Sequence, residues 1–278
     1  MSVGPDTGPT MIVELHCHST CSDGAAPAAD VGRRAQAIAP AVFALTDHDT
    51  TAGHADAAAA CPVAIRAVEL TCHDSGRSVH VLCYDAAGDE RWAELEVVLT
   101  AQALARRTRL RTIATRLWQR GIVVDVEPLL ARADGRVVGR PDVAQALVDQ
   151  GLVATKDEAF SRWLHDGGPG DVPLARVTIA DALAMVRAVG GRASLAHPHQ
   201  HGDRAHRMIR QHRQDGLGVE AFYRPYDPSE RARWLRLADE AGVMATGGSD
   251  WHGGGEGHLG VEIPDDRGAR LLEWLGRA

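Results

Sequence analysis

Apolar runs of four to nine residues alternate with stretches of helical spacing at both ends of this chain. MIVELH (residues 11–16) reads as a first strand, Ala28–Ala39 as a helix, and VFALT (residues 42–46) as a short apolar run of the kind a parallel sheet buries on both faces. The Ala-rich segment Gly53–Ala60 predicts a second helix, and PVAIRAVEL (residues 62–70) a third strand with Glu69 near its end. SVHVLCY (residues 78–84) returns across the turn-like cluster His73-Asp74-Ser75-Gly76-Arg77 and should bring His80 back towards Glu69. The alternation resumes at Thr178. ADALAMVRAVGG is a helix ending on glycine, and ASLAHP, GVEAFY and VMATGG are further strands, with helices in the gaps and LLEWLGR closing the chain. Seven strands in this arrangement predict an α/β fold, a distorted seven-stranded (β/α) barrel.

The middle of the chain has a different pattern. From Gly88 to Val177 clear strand runs are nearly absent, Trp92–Arg120 has a long helical pattern rich in Leu, Ala and Arg, and shorter helices are predicted at Pro141–Gln150 and Lys156–His165. Residues 88–177 therefore read as a helical insertion, set into a barrel domain made of residues 11–87 and 178–278.

Composition narrows the function classes. With 278 residues, 45% of them hydrophobic, the chain can bury one large domain or a domain with a sizeable insertion. The net charge of −7 and the scattering of arginines along helical segments argue against a duplex-binding surface. Five cysteines without a CxxC pair fit a reducing compartment. The leader MSVGPDTGPT lacks the cationic start and apolar core of a signal peptide, and the apolar runs are too short to span a bilayer. A cytoplasmic protein is expected, with no membrane association and no obligate protein partner evident.

The candidate chemistry gathers at strand ends. ELHCHSTCSDG places His16, His18 and Asp23 together, and alternation along an extended chain puts His16 and His18 on one face with Cys17 on the other. A His pair alone reads equally well as two surface or satisfied core histidines. DHDT then places Asp47, His48 and Asp49 where a buried strand emerges. A buried Glu69 needs a partner, for which a cation would serve, and His80, His197, Asp250 and His252 also follow apolar runs. These nine residues are metal-ligand types that one face of a barrel would collect, enough for two or three ions with one bridging carboxylate.

HCHSTCSDG, TDHDT, the spacing from Glu69 to His80, AHP at residues 196–198 and GGSDWHG at residues 247–253 resemble the PHP (polymerase and histidinol phosphatase) family of metal-dependent phosphoesterases over nearly the whole chain. The arrangement is similar to the stand-alone members that act on nucleotide phosphates or short RNA ends. The resemblance implies a first ion on His16, His18, Glu69 and Asp250, a second on Glu69, His80 and His197, and a third on Asp23, His48 and His252. It further implies two or three divalent ions of Mn, Fe or Zn, metal-bound hydroxide as nucleophile, and Glu69, Asp250 and Arg140 as catalytic residues. Arg140, in GRPDVAQALVDQG, would clamp the substrate phosphate, and His258 in GHLGVEIP would line the pocket. Asp142, Leu174 and Tyr226 depart from the family pattern, which has His, a basic or imidazole residue, and His there. Tyr226 and its neighbour Arg224 are the further candidate substrate residues.

The expected function is metal-dependent hydrolysis of a phosphomonoester on a small nucleotide of the 3′,5′-bisphosphate type or on a short oligonucleotide end, with this small phosphorylated substrate as partner. The rival enzymatic reading is a phosphatase for a phosphorylated metabolite such as histidinol phosphate. A non-catalytic metal-binding regulatory module is the rival from another class, but such a module is expected to have lost ligands.

Overall fold

The N-terminal strand β1 (Thr10–Glu14) lies between two neighbours, parallel to β2 (Val42–Ala44) and antiparallel to the last strand of the chain, Val261–Pro264. The structure, a computed structural model, describes residues 8–133, 136–165, 167–172, 177–253 and 257–277. They fall into two units, one formed by the chain up to Val97 and from Val177 onward, the other by Val98–Arg176.

In the first unit β1 is followed by α1 (Ala28–Ala37), β2, α2 (His54–Ala60), β3 (Ala64–Ile65), β4 (Ala67–Asp74) and β5 (Arg77–Tyr84). The helix α3 (Trp92–Trp118) begins here and runs into the second unit. There it is followed by α4 (Glu127–Arg132), α5 (Arg140–Asp149) and α6 (Lys156–Ala159), which continues as one wider turn through Leu164. The second unit has its own core, in which Leu110, Ile113 and Leu117 of α3 pack with Val143 and Leu147 of α5 at helical spacing. Back in the first unit come β6 (Val177–Thr178), α7 (Ile179–Ala188), β7 (Arg192–Leu195), α8 (Asp203–His212), β8 (Leu217–Tyr223), α9 (Pro228–Ala241), β9 (Ala245–Gly248), β10 (Val261–Pro264) and α10 (Asp265–Trp274).

These strands do not form the single closed seven-stranded barrel expected. They form a four-stranded sheet in the order β10-β1-β2-β3 and a six-stranded sheet in the order β6-β4-β5-β7-β8-β9. Two causes are local. PVAIRAVEL is two strands, because the chain leaves one sheet at Arg66, whose side chain turns to Asp85, and enters the other at Ala67. The ladders also stop where the ligand-bearing stretches begin, since Asp49 and Asp250 adopt positive φ of 51° and 54° and leave the extended conformation. Backbone hydrogen bonds still cross both seams, from Glu69 N–H to Thr46 O (3.2 Å) and from Asp250 N–H to His16 O (2.7 Å). β6 and β10 were not expected as strands. The first has two residues, and the second is an edge strand that ends on proline. Among the described residues no helix is long and apolar enough to cross a membrane.

Candidate metal centre

All nine ligand-type residues converge. Beyond β1 the chain stays extended through His16, Cys17 and His18, and the stretch after β9 runs alongside it, with His18 N–H bonded to Trp251 O at 2.9 Å. Close approach needs a glycine at residue 248, where a Cβ would collide with His16. Asp250 thereby meets His16 Nε2 at 3.2 Å and His18 Nε2 at 3.3 Å through Oδ1. Glu69, in mid-strand on β4 and fully buried, divides its two oxygens. Oε2 lies 3.4 Å from His16 Nε2, 3.2 Å from His18 Nε2 and 3.0 Å from His48 Nδ1, while Oε1 lies 3.1 Å from both His80 Nδ1 and His197 Nε2. Asp23 faces His18, His48 and His252 at 3.4–3.6 Å.

The donor atoms form four close groups: His16 with His18 and Asp250; His16 with Glu69 and His197; His48 with Glu69 and His80; and His18 with Asp23, His48 and His252. The last contains the set expected for the third ion, and the first holds three of the four residues expected for the first ion, without Glu69. His80 and His197, the two imidazoles expected to share one ion with Glu69, both lie 3.1 Å from its Oε1 while also grouping separately, His197 with His16 and His80 with His48.

Do these residues fit cations? Two donor atoms on one tetrahedral ion with bonds of about 2.1 Å lie about 3.4 Å apart, which is the spacing observed. His16 Nε2, His18 Nε2, His48 Nδ1, His80 Nδ1 and Glu69 Oε2 are buried without a hydrogen-bond partner, an expensive arrangement unless lone pairs face a cation. The proton affinities show the same imbalance. Burial drives the Glu69 carboxyl up, but His48, His80 and His16 outweigh it and hold it well below the usual carboxylate range. His18 is pulled down by burial and pushed further up, to about 10, by Asp250 and Glu69. His48 goes the other way, to about 4, through burial and the neighbouring His18 and His80. The negative Glu69 carboxylate is thus kept out of water where positive charge must answer it, so the residues fit divalent metal.

No family model matches the chain. Over 264 residues it is 31% identical to a 3′,5′-nucleoside bisphosphate phosphatase of Chromobacterium violaceum, covering 91% of this chain and 92% of that protein. The chain belongs to the PHP family of metal-dependent phosphoesterases. A 5′-3′ exoribonuclease of Haemophilus influenzae is also 31% identical, over 86% of this chain and 89% of its own. Among solved structures, a protein assigned as a metal-dependent phosphoesterase from Bifidobacterium adolescentis superposes with a TM-score of 0.77 at 28% identity, covering 96% of this chain and 97% of that one. The protein is a phosphoester hydrolase.

The candidate ligands are held by residues that the sequence reading did not assign to the centre, although it singled out Asp47 within DHDT. Glu220, on β8 and fully buried, takes His16 Nδ1 at 2.8 Å with one oxygen and the His197 backbone N–H at 2.7 Å with the other. That contact leaves His16 Nε2 for the ion side of the ring. Asp47 accepts from the Ser19 N–H and from the Ser19 and Ser22 hydroxyls at 2.6–2.7 Å, fixing the loop that carries Asp23. Tyr223 donates its hydroxyl to Asp250 Oδ2 at 2.9 Å, which leaves Oδ1 to the imidazoles. His197 itself is strained, at φ 28° and ψ 61°, a conformation that its surroundings must impose. Glu220→Gln keeps the shape but loses one of these two acceptors, so metal affinity should fall about 10–100-fold. Competition with a graded series of chelators measures this, and an unchanged affinity would remove Glu220 from the support of the site.

The candidate substrate residues have separate fates. Arg224 is exposed and donates to Gly260 O at 2.6 Å, and His258 is exposed between Gly257 and Leu259. Tyr226 is buried, with its hydroxyl 2.9 Å from His199 Nδ1. Arg140 opens α5 in the second unit, where it donates to Leu164 O at 2.9 Å. Asp142 closes the N-terminus of the same helix by accepting from Gly139 N–H and from Arg136. Leu174 lies outside the described residues.

Proposed function

We propose that this PHP enzyme hydrolyses a phosphomonoester of a small nucleotide of the 3′,5′-bisphosphate type, or one at a short oligonucleotide end. The observation that carries the chemistry is the buried Glu69 carboxylate shared among five imidazoles, with Asp23, Asp250 and His252 completing the set. Two or three divalent ions of Mn, Fe or Zn would be held there, since imidazole and carboxylate suit all three. Bound cations would polarise the phosphoryl oxygens, neutralise charge in the transition state and make water acidic enough to attack near neutral pH.

The remaining work falls to the protein's own groups. Glu220, Asp47 and Tyr223 keep the ligands in place before substrate arrives, so little reorganisation accompanies reaction. The names of the two relatives support a nucleotide or RNA end, and the net charge of −7 supports a small substrate over duplex nucleic acid. Cysteines without a disulfide framework support a cytoplasmic setting. Arg140 is assigned to phosphate recognition on its motif, and a guanidinium can take two phosphate oxygens at once.

The test compares kcat/KM for a nucleoside 3′,5′-bisphosphate with that for the matching 5′-monophosphate. The bisphosphate should be preferred about tenfold, the worth of a charge-assisted contact to the second phosphate. A ratio near one defeats the substrate class. In Arg140→Ala, kcat/KM should fall about 10–100-fold with metal content unchanged, and unchanged kinetics would remove Arg140 from recognition.

A further inference from the structure

The turn after β7 and the end of β8 build a polar pair that metal binding does not use. His199 follows His197 by two residues and is half-buried, its ring centroid 6.4 Å from that of His197 and 5.2 Å from that of Tyr223, whose hydroxyl holds Asp250. Tyr226 stands edge-on to it at 5.2 Å. The Tyr226 hydroxyl accepts the His199 backbone N–H at 3.3 Å and lies 2.9 Å from His199 Nδ1. The phenol oxygen takes that N–H, and its own hydrogen is available to Nδ1. With the phenol hydrogen on Nδ1 the imidazole carries its own on Nε2, and in a charged ring both nitrogens carry one and Nδ1 donates to the phenol instead.

Tyr226 is held for this task. It is buried, lies with its ring tilted against that of Tyr223 at 4.9 Å, and is followed by Asp227, which caps α9 by accepting from the Ser229 and Glu230 N–H groups. The other end of the imidazole is not held. The backbone N–H and Nδ1 of His199 both meet the Tyr226 hydroxyl, and among the described residues no hydrogen bond reaches Nε2. Nε2 is also absent from the buried, unpartnered atoms of the centre.

We infer that His199 is a substrate-binding residue whose Nε2–H donates to an oxygen of the phosphate under attack, and that Tyr226 is a positioning residue that acts through it. The inference rests on the phosphoesterase reading above for the identity of its ligand. It gives the departure at Tyr226 a purpose, because the phenol there sets the tautomer of an imidazole supplied from another strand end.

Inorganic phosphate binding and histidine nitrogen NMR on the Zn²⁺-loaded protein test it, and neither needs turnover. In wild type, His199 should be found as the Nε2–H tautomer or as imidazolium. His199→Ala should raise the Kd for phosphate about tenfold or more, the loss of one hydrogen bond to a charged group, with Zn²⁺ content unchanged. Tyr226→Phe should move His199 towards the Nδ1–H tautomer and raise the Kd in the same direction. Combined with His199→Ala it should add nothing further. An Nδ1–H wild type, or a phosphate Kd unchanged in His199→Ala, overturns the inference. Weakened phosphate binding in an enzyme that hydrolyses no phosphomonoester would instead keep the anion contact and defeat the proposed substrate class.

Discussion

Glu69→Gln is expected to lower phosphoester hydrolysis by about a thousandfold and to remove at least one metal ion per chain. The two oxygens of Glu69 face different imidazoles, Oε2 towards His16, His18 and His48 and Oε1 towards His80 and His197. An amide replaces one of them with an NH₂ group, which has no lone pair to give a cation. Whichever way the glutamine turns, one side of the centre therefore loses its carboxylate. The loss of a full negative charge among five imidazoles further weakens the hold on cations. Elemental analysis after reconstitution with excess Mn²⁺ should find more than one ion per chain in wild type and fewer in the variant. Wild type saturating at a single ion would defeat the shared-carboxylate reading, as would a variant that keeps its metal and works within tenfold of wild type.

Most of the candidate ligands, His16, His18, His48, His197, Asp250 and His252, were legible in the sequence because each sits beside a short apolar run, where a strand ends and the backbone leaves its ladder. Glu69 needed a different argument, as a carboxylate inside an apolar strand that must find a partner, and it proves to stand in mid-strand with the partners around it. What holds the ligands was much less legible. Glu220 lies in a run that reads as plain buried strand, and its partner His16 is 204 residues away. The phenol of Tyr223 looks like a core aromatic until Asp250 is brought to it, and Tyr226 stood out only as a departure from the family pattern, with no sign of its partner His199. Pairings of this kind depend on strand register across both sheets, which no local pattern encodes. The division into two sheets escaped for a related reason: the break at Arg66 is one residue long and leaves the apolar character of PVAIRAVEL unchanged.

A second class of residue keeps the two sheets together at the centre, and Glu14 is its main member. It is fully buried at the end of β1, where Oε1 accepts the N–H groups of His16 and Ser249 at 3.0 Å and Oε2 accepts that of Gly260 at 2.5 Å. One carboxylate thus joins the His16 segment, the stretch leading to Asp250 and the approach to β10. Burial pushes its pKa up, and the bonds from Ser249, Gly260 and His16 work against that rise without cancelling it.

Glu14→Ala is expected to destabilise the protein by about 3 kcal/mol. Three backbone donors lose their acceptor inside the protein at about 1–3 kcal/mol each, offset in part because a carboxylate no longer has to be kept out of water. For a chain of this size that is a fall in Tm of roughly 5–10 °C. Metal content should fall as well, since Ser249 and His16 are tied to the same carboxylate and Asp250 is the next residue. Thermal unfolding of metal-free protein isolates the first effect, and elemental analysis of reconstituted protein the second. A metal-free Tm within a degree of wild type would show that solvent or a neighbouring group satisfies the three N–H groups, so that Glu14 does not join the sheets. A lowered Tm with full metal content would instead separate the architecture from the site, leaving Asp250 held by Tyr223 and its bond to His16 O.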